Sequence, residues 1–306
     1  MPETITIGSV PYLNARPLVF GLDQRPQVRL RLELPCDLGR LLARGEVDVA
    51  LLPAIEYVRL AAESRERARA GPARLPAGRQ AGVVGLPVAA IGSRGPVGSV
   101  RLFGYSEPAR IRRVLLDPAS RTSNALGRLI VVRRMGVQPH FVLPDPIGPA
   151  RQPATARFVA VPGGDAVASP APSRPPDAEL VMGDRGLVAE RPQAQWVHDL
   201  GLEWERMIHR PFIYAFWVAR ADAPLERIMD VLASARDAGL AARDQIVAEA
   251  PAACGVPADV ARRHLFEQIQ YGFGPKEQQG LEVFYRMAAQ EGLAPDGVRL
   301  EMARTR

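Results

Sequence analysis

Lysine is almost missing from this chain. Of its 39 basic residues only Lys276 is a lysine, and the arginines are scattered singly through a sequence rich in Ala, Gly and Pro. The formal net charge of +6 therefore forms no basic stripe interleaved with aromatics, and it reads as GC-rich coding rather than as a nucleic-acid surface. Cysteine is equally scarce: Cys36 and Cys254 lie far apart, with neither a disulfide framework nor metal-ligand spacing, a pattern that fits a reducing compartment. His140, His198, His209 and His264 show no His/Glu metal spacing and are too sparse to argue for a serine triad. No apolar run approaches the ~18 residues of a membrane span. The opening Met1-Pro2-Glu3-Thr4 lacks a basic and apolar leader, so a cytoplasmic protein away from membranes is expected. There is no G-x-S-x-G elbow, no Walker loop and no G-x-G-x-x-G opening a helix. Any chemistry is expected to run without metal, nucleotide or an obvious nucleophile, and nothing in the sequence speaks to oligomeric state.

What is present is the alternation of an α/β protein. Residues 4–10 read as a buried strand running into a helix from about Leu13 to Leu22, and Val28–Leu34 alternates charged and apolar residues like a strand with one wet face. A helix opens at Pro35-Cys36-Asp37, and Val47–Leu52 is a second buried strand stopped by Pro53. This βαβαβ start predicts a parallel sheet, whose ligands sit outside the carboxyl ends of the strands, where Asn14 and Pro53 fall. Strands are expected at 88–91, 97–105, 113–116, 139–143, 179–182 and 212–218. Helices are expected at 122–134, 186–190, 224–249, 257–269 and 276–291. Residues 63–82 and 162–177 lack usable periodicity and read as exposed insertions. The layout predicts a chain that builds one lobe, crosses near 103–107, builds a second, and returns near 213–219. Lobe I would be residues 1–104 plus 217–306 and lobe II residues 105–216, with a ligand cleft between them.

Candidate site residues cluster at helix starts. A helix N-terminus offers N–H donors and a positive dipole end to an anion. Asn14, at the join of the first strand and helix, can donate to and accept from a hydroxyl or carboxylate, or simply cap the helix. Tyr12 beside it reads as cleft wall or core. The stretch Asp117-Pro118-Ala119-Ser120-Arg121-Thr122-Ser123-Asn124 sets Ser120, Thr122 and Ser123 at a helix start, as a cradle for a carboxylate or as plain caps, with Asp117 placed to orient the loop. Ser93 and Ser99 flank a Gly-Pro turn near the first crossing, and Asp184 ends another strand, as a ligand acceptor or a cap of the 186–190 helix.

Ser9-Val10-Pro11-Tyr12-Leu13-Asn14-Ala15-Arg16-Pro17-Leu18 resembles the N-terminal signature of the chorismate dehydratases of the futalosine route to menaquinone. The resemblance continues through Gly45–Pro53 with Glu56-Tyr57, Gly95-Pro96-Val97 with Ser99-Val100, and Asp117 with Ser120–Ser123. It closes on Gly183-Asp184, Pro211–Trp217, and Gly280-Leu281-Glu282 with Phe284, so it spans nearly the whole chain. It implies a fold like the type II periplasmic binding proteins and the cofactor-free conversion of chorismate, a small dicarboxylate, to 3-[(1-carboxyvinyl)oxy]benzoate and water. It points to Asn14 and to a cleft serine, either Ser93 or Ser99, with Ser99 in the more typical Ser-Val context, as catalytic residues. Tyr12, Ser93, Ser120, Thr122, Ser123 and Asp184 are the expected substrate contacts. Two alternatives stand beside this expectation: the sister pathway enzyme that cyclises dehypoxanthine futalosine, and a non-catalytic cytosolic binding protein for a small carboxylate.

Overall fold

Two mixed β-sheets, each flanked by helices, organise the molecule. The computed structural model describes residues 4–69, 82–144, 158–160 and 176–304. The first sheet contains β1 (Ile5–Ser9), β2 (Val28–Leu32), β3 (Val49–Pro53), β4 (Val83–Ser93) and, far along the chain, β11 (Phe212–Arg220), in the order β2-β1-β3-β11-β4. β1 runs parallel to β2 and β3, and β11 returns antiparallel between β3 and β4. The second sheet has the order β10-β5-β9-β6-β7-β8, with β5 (Val100–Gly104), β6 (Arg113–Leu115), β7 (His140–Pro144), β8 (Phe158–Ala160), β9 (Ala178–Met182) and β10 (Trp196–Asp199). Its β6 is parallel to β7 and β9, while β5 is antiparallel to β9 and β10.

Helices α1 (Pro35–Ala43) and α2 (Ala54–Arg69) flank the first sheet, and α3 (Arg121–Leu129), α4 (Asp184–Val188) and α5 (Leu200–Ile208) belong with the second. The chain then adds α6 (Leu225–Ala241), α7 (Arg243–Cys254), α8 (Ala258–Arg263) and α9 (Pro275–Gln290). Of these, α6 packs on β4 and on residues 13–18, and α9 packs on β11. The core is continuous across β1, β3, β4 and β11, where strands such as Val49–Pro53 are buried throughout, as a strand covered on both faces must be.

Several expectations change. The first helix is a 3-10 helix over Leu13–Leu18, because Pro17 removes a backbone donor and ends regular α geometry early. The supposed insertion at 63–82 is helical through Arg69 as the end of α2, whose Glu/Arg-rich second half hides the apolar stripe; residues 70–81 lie outside the described residues. Of 162–177, only 176 and 177 are described, and the Asp177 carboxylate accepts from the Arg112 and Arg113 amides. β8, β10 and α5 were not anticipated. The links between the sheets also sit earlier than expected. β5 lies wholly in the second sheet and β11 wholly in the first, so the chain crosses through 94–99 and 209–211 rather than through strands at 103–107 and 213–219.

Candidate active site

The strand ends and helix starts of both lobes meet around a cleft. From the first lobe come Val10, Tyr12 and Asn14 after β1, Pro35 at the start of α1, Leu51 and Pro53 at the end of β3, Ile91 of β4, and Tyr214 and Ala215 of β11. From the link and the second lobe come Ser99, Val100, Ser120, Ser123, Met182 and Gly183. The mostly apolar walls suit a small ligand held by a few polar groups. Those groups are the hydroxyls of Tyr12, Ser99, Ser120, Ser123 and Tyr214 and the Asn14 amide; no charged side chain is among the described residues that line the cleft.

Three helices of eight residues or more begin at this cleft: α1 at Pro35, α2 directly after Pro53, and α3 at its N-cap Ser120. Helix starts carry partial positive charge, which favours an anion without an arginine or lysine, while the Ile55 amide of α2 and the Ser123 amide of α3 are already bonded to Thr122 Oγ1 and Ser120 Oγ. In α3, Ser120 Oγ accepts from the Ser123 amide at 3.2 Å and its hydroxyl donates to Ser123 Oγ at 3.1 Å. That arrangement leaves the Ser123 hydroxyl proton to donate to a ligand.

Asn14 is the most telling residue. Its Oδ1 is buried and has no hydrogen-bond partner, although buried amide oxygens are normally paired. The segment that carries it is tied from several sides. Leu13 is fully buried among Ile246, Val247 and Leu265 of the C-terminal helices, and the Leu13 amide donates to both carboxylate oxygens of Asp184 across the cleft, at 3.1 and 3.3 Å. Burial pushes the Asp184 carboxyl up, and the Leu13 hydrogen bond opposes that rise. Tyr12 titrates at about 12, held up first by burial and then by the Asp117 and Asp184 charges.

Asp117 works behind the site. It is almost fully buried, and its carboxylate accepts from the Ala119 amide (2.9 Å), the Met182 amide (3.3 Å) and Arg185 Nη2 (2.8 Å). Desolvation raises its pKa while those partners oppose the rise. Asn124 completes the brace, accepting from the Asp117 amide and donating to its carbonyl at 2.7 Å. The 117–124 loop is thus a rigid shelf, with Asp117 orienting it.

The structure divides the expected contacts. Tyr12, Asn14, Ser99, Ser120 and Ser123 come together in one cleft. Ser93, Thr122 and Asp184 are not among its walls. Ser93 Oγ pairs with the Tyr214 hydroxyl at 3.1 Å, one layer behind; Thr122 Oγ1 accepts from the Ile55 amide of the other lobe at 3.1 Å; and Asp184 holds Leu13 rather than capping its own helix. Of the two candidate serines, Ser99 is the one in the wall, and its main chain is gripped by α4, where a Cβ on Gly186 would fall 2.3 Å from the Ser99 carbonyl oxygen. Tyr214 was missed because it sits in an apolar aromatic strand that reads as core, and its hydroxyl is bonded to Ser93 Oγ.

Comparison with known proteins agrees with this architecture. The sequence profile of a family described as "Menaquinone biosynthesis" matches residues 5–65 and 147–290. Over 298 residues, 88% of this chain and 94% of the other, the sequence is 27% identical to the chorismate dehydratase of Thermus thermophilus. Among solved structures, a protein of Archaeoglobus fulgidus superposes with a TM-score of 0.65 at 15% identity, covering 95% of this chain and 99% of that one. The periplasmic aliphatic sulphonate binding protein SsuA of Escherichia coli superposes with a TM-score of 0.58 at 16% identity, covering 100% and 95%. The fold is therefore the two-lobed α/β architecture of the periplasmic binding proteins. Among the described residues, no helix is long and apolar enough to cross a membrane.

Proposed function

The chain belongs to the menaquinone-biosynthesis family, and from that premise we propose that it is a chorismate dehydratase, converting chorismate to 3-[(1-carboxyvinyl)oxy]benzoate and water. The observation that carries the reading is the unpartnered Asn14 Oδ1 in a cleft onto which three helix starts converge. Chorismate carries two carboxylates and one hydroxyl. The helix starts and the Ser120/Ser123 pair suit a carboxylate, and Asn14 Oδ1 suits the donor hydroxyl on the ring.

The reaction removes the ring proton at the ether-bearing carbon and the neighbouring hydroxyl, which leave together as water as the ring becomes aromatic. Much of the driving force is therefore in the substrate, and the protein's task is alignment in a dry space. The polar walls offer no ready base: the Tyr12 phenol titrates at about 12, and burial raises Tyr214 further. A carboxylate of the substrate itself is the base this site leaves available, with Ser99 and Asn14 orienting the enolpyruvyl side and the departing hydroxyl. The resemblance in sequence to the Thermus thermophilus chorismate dehydratase supports the same substrate.

The test is to incubate purified protein with chorismate and follow the product by mass and by aromatic absorbance. Loss of one water with a new benzoate chromophore is expected. Unchanged chorismate, with binding of a small carboxylate detected by calorimetry, would favour a non-catalytic carrier instead.

A further inference from the structure

The segment His264–Tyr271 lies behind the cleft, and it touches the carriers of both proposed catalytic residues. It begins as a π turn, His264–Gln268, closed by the Ile269 amide donating to the His264 carbonyl at 3.0 Å. Single π turns inside helices are uncommon and recur at functional sites. The chain then pairs with β4: the Gly92 amide donates to the Gln270 carbonyl (2.9 Å), the Gln270 amide donates to the Gly92 carbonyl (2.8 Å), and the Ala90 amide donates to the Tyr271 carbonyl (3.2 Å).

From this anchored position two side chains reach the site from outside. The Tyr271 hydroxyl donates to the main-chain carbonyl of Asn14 at 3.0 Å, and Tyr271 is almost fully buried. Gln268 lies against Gly98, the residue before Ser99: a Cβ there would meet Gln268 Oε1 at 2.4 Å, and the φ of +72° at Gly98 favours glycine. Gln268 is held in turn by His264, whose Nδ1 lies 3.2 Å from Gln268 Oε1. On the opposite flank the Asp199 carboxylate accepts from the Val97 amide (3.0 Å) and the Gly98 amide (2.6 Å). The link that bears Ser99 is therefore clamped between Asp199 and the π turn, and the backbone of Asn14 is hung from the same segment.

Resting on the chorismate dehydratase reading, we propose that Tyr271 and Gln268 are positioning residues, which fix Asn14 and Ser99 relative to one another from a single element outside the cleft. Neither touches substrate. Their effect is on alignment, so it should appear in kcat and leave KM nearly unchanged.

The test uses Tyr271→Phe, which removes only the hydroxyl. Tyr57→Phe is its control, because Tyr57 is likewise buried with its hydroxyl on backbone groups (it accepts from the Glu301 amide at 2.7 Å), but its partners lie at 299 and 301 and not on Asn14. With chorismate, Tyr271→Phe is expected to lower kcat about three- to tenfold, the worth of one hydrogen bond, with KM within about twofold of wild type, while Tyr57→Phe keeps wild-type kcat. Gln268→Ala should lower kcat in the same direction. Independently of turnover, the Asn14 side-chain amide resonance, assigned by its loss in Asn14→Ala, should shift in Tyr271→Phe and stay in place in Tyr57→Phe. An unmoved Asn14 resonance, or equal kcat in Tyr271→Phe and wild type, overturns the inference. A wild-type protein inert towards chorismate, with the resonance shift present, instead overturns the function and leaves the positioning role standing.

Discussion

Asn14 and Thr122 each carry an oxygen at the start of a helix, yet only one of those oxygens is without a partner. Thr122 Oγ1 receives the Ile55 amide, whereas Asn14 Oδ1 is buried and unpaired, and that difference separates a residue that serves the fold from one that can serve a ligand. His264 is the residue with the clearest consequence for pH. It is fully buried, and burial pushes its imidazole down from 6.5 to about 4, so the folded protein holds it neutral. Because the folded value lies below the unfolded one, its contribution to stability is complete above about 6.5 and is lost as the pH falls towards 4. At about 1.4 kcal/mol per pH unit this loss is on the order of 3 kcal/mol. His264→Asn should therefore flatten the fall of Tm between about pH 7 and 4.5. Equal slopes in the two proteins would show that another group sets the acid limb.

At the scale of elements, α3 both caps itself and lines the cleft through Ser120. Ser120→Ala removes the cap and should lower unfolding free energy by about 1 kcal/mol in denaturant titrations. If the hydroxyl pair also meets substrate, KM for chorismate should rise about three- to tenfold; a stability loss with unchanged KM would confine Ser120 to capping. The same helix shows how far the sequence could be read. Strands β1, β3, β9 and β11 were legible because apolar runs between turn residues have few other uses, and so were the helix starts at Pro35 and near Ser120. α2 was not read as a helix, and its second half, Glu63–Arg69, has too few apolar residues to show a helical period. The partners of Thr122, Asp184 and Ser93 were not legible at all. Each bonds to a residue at least 67 positions away, and only the folded topology brings those groups together.

The whole molecule is a pair of lobes in contact across the cleft. The Leu13 amide with Asp184, the Ile55 amide with Thr122, and the Glu56–Arg121 ion pair at 3.0 Å all join one sheet's elements to the other's. Arg121 is about half exposed, so its pair contributes little, while the buried Thr122 contact matters more. Thr122→Val leaves the Ile55 amide unpaired in a buried site and should cost about 1–3 kcal/mol in unfolding free energy. Small-angle scattering should show the variant more open than wild type in the presence of product; an equally compact variant of unchanged stability would remove Thr122 from the interlobe contact. The proposal that this cleft, with its apolar walls, helix starts and unpaired Asn14 Oδ1, turns over chorismate is open to a single measurement. The most direct measurement is steady-state conversion of chorismate by wild type beside Asn14→Ala, read by aromatic absorbance and product mass. Turnover by the wild type is expected, with kcat lower by about a hundredfold in a folded Asn14→Ala; wild-type inactivity, or equal rates in the two proteins, would overturn the dehydratase reading.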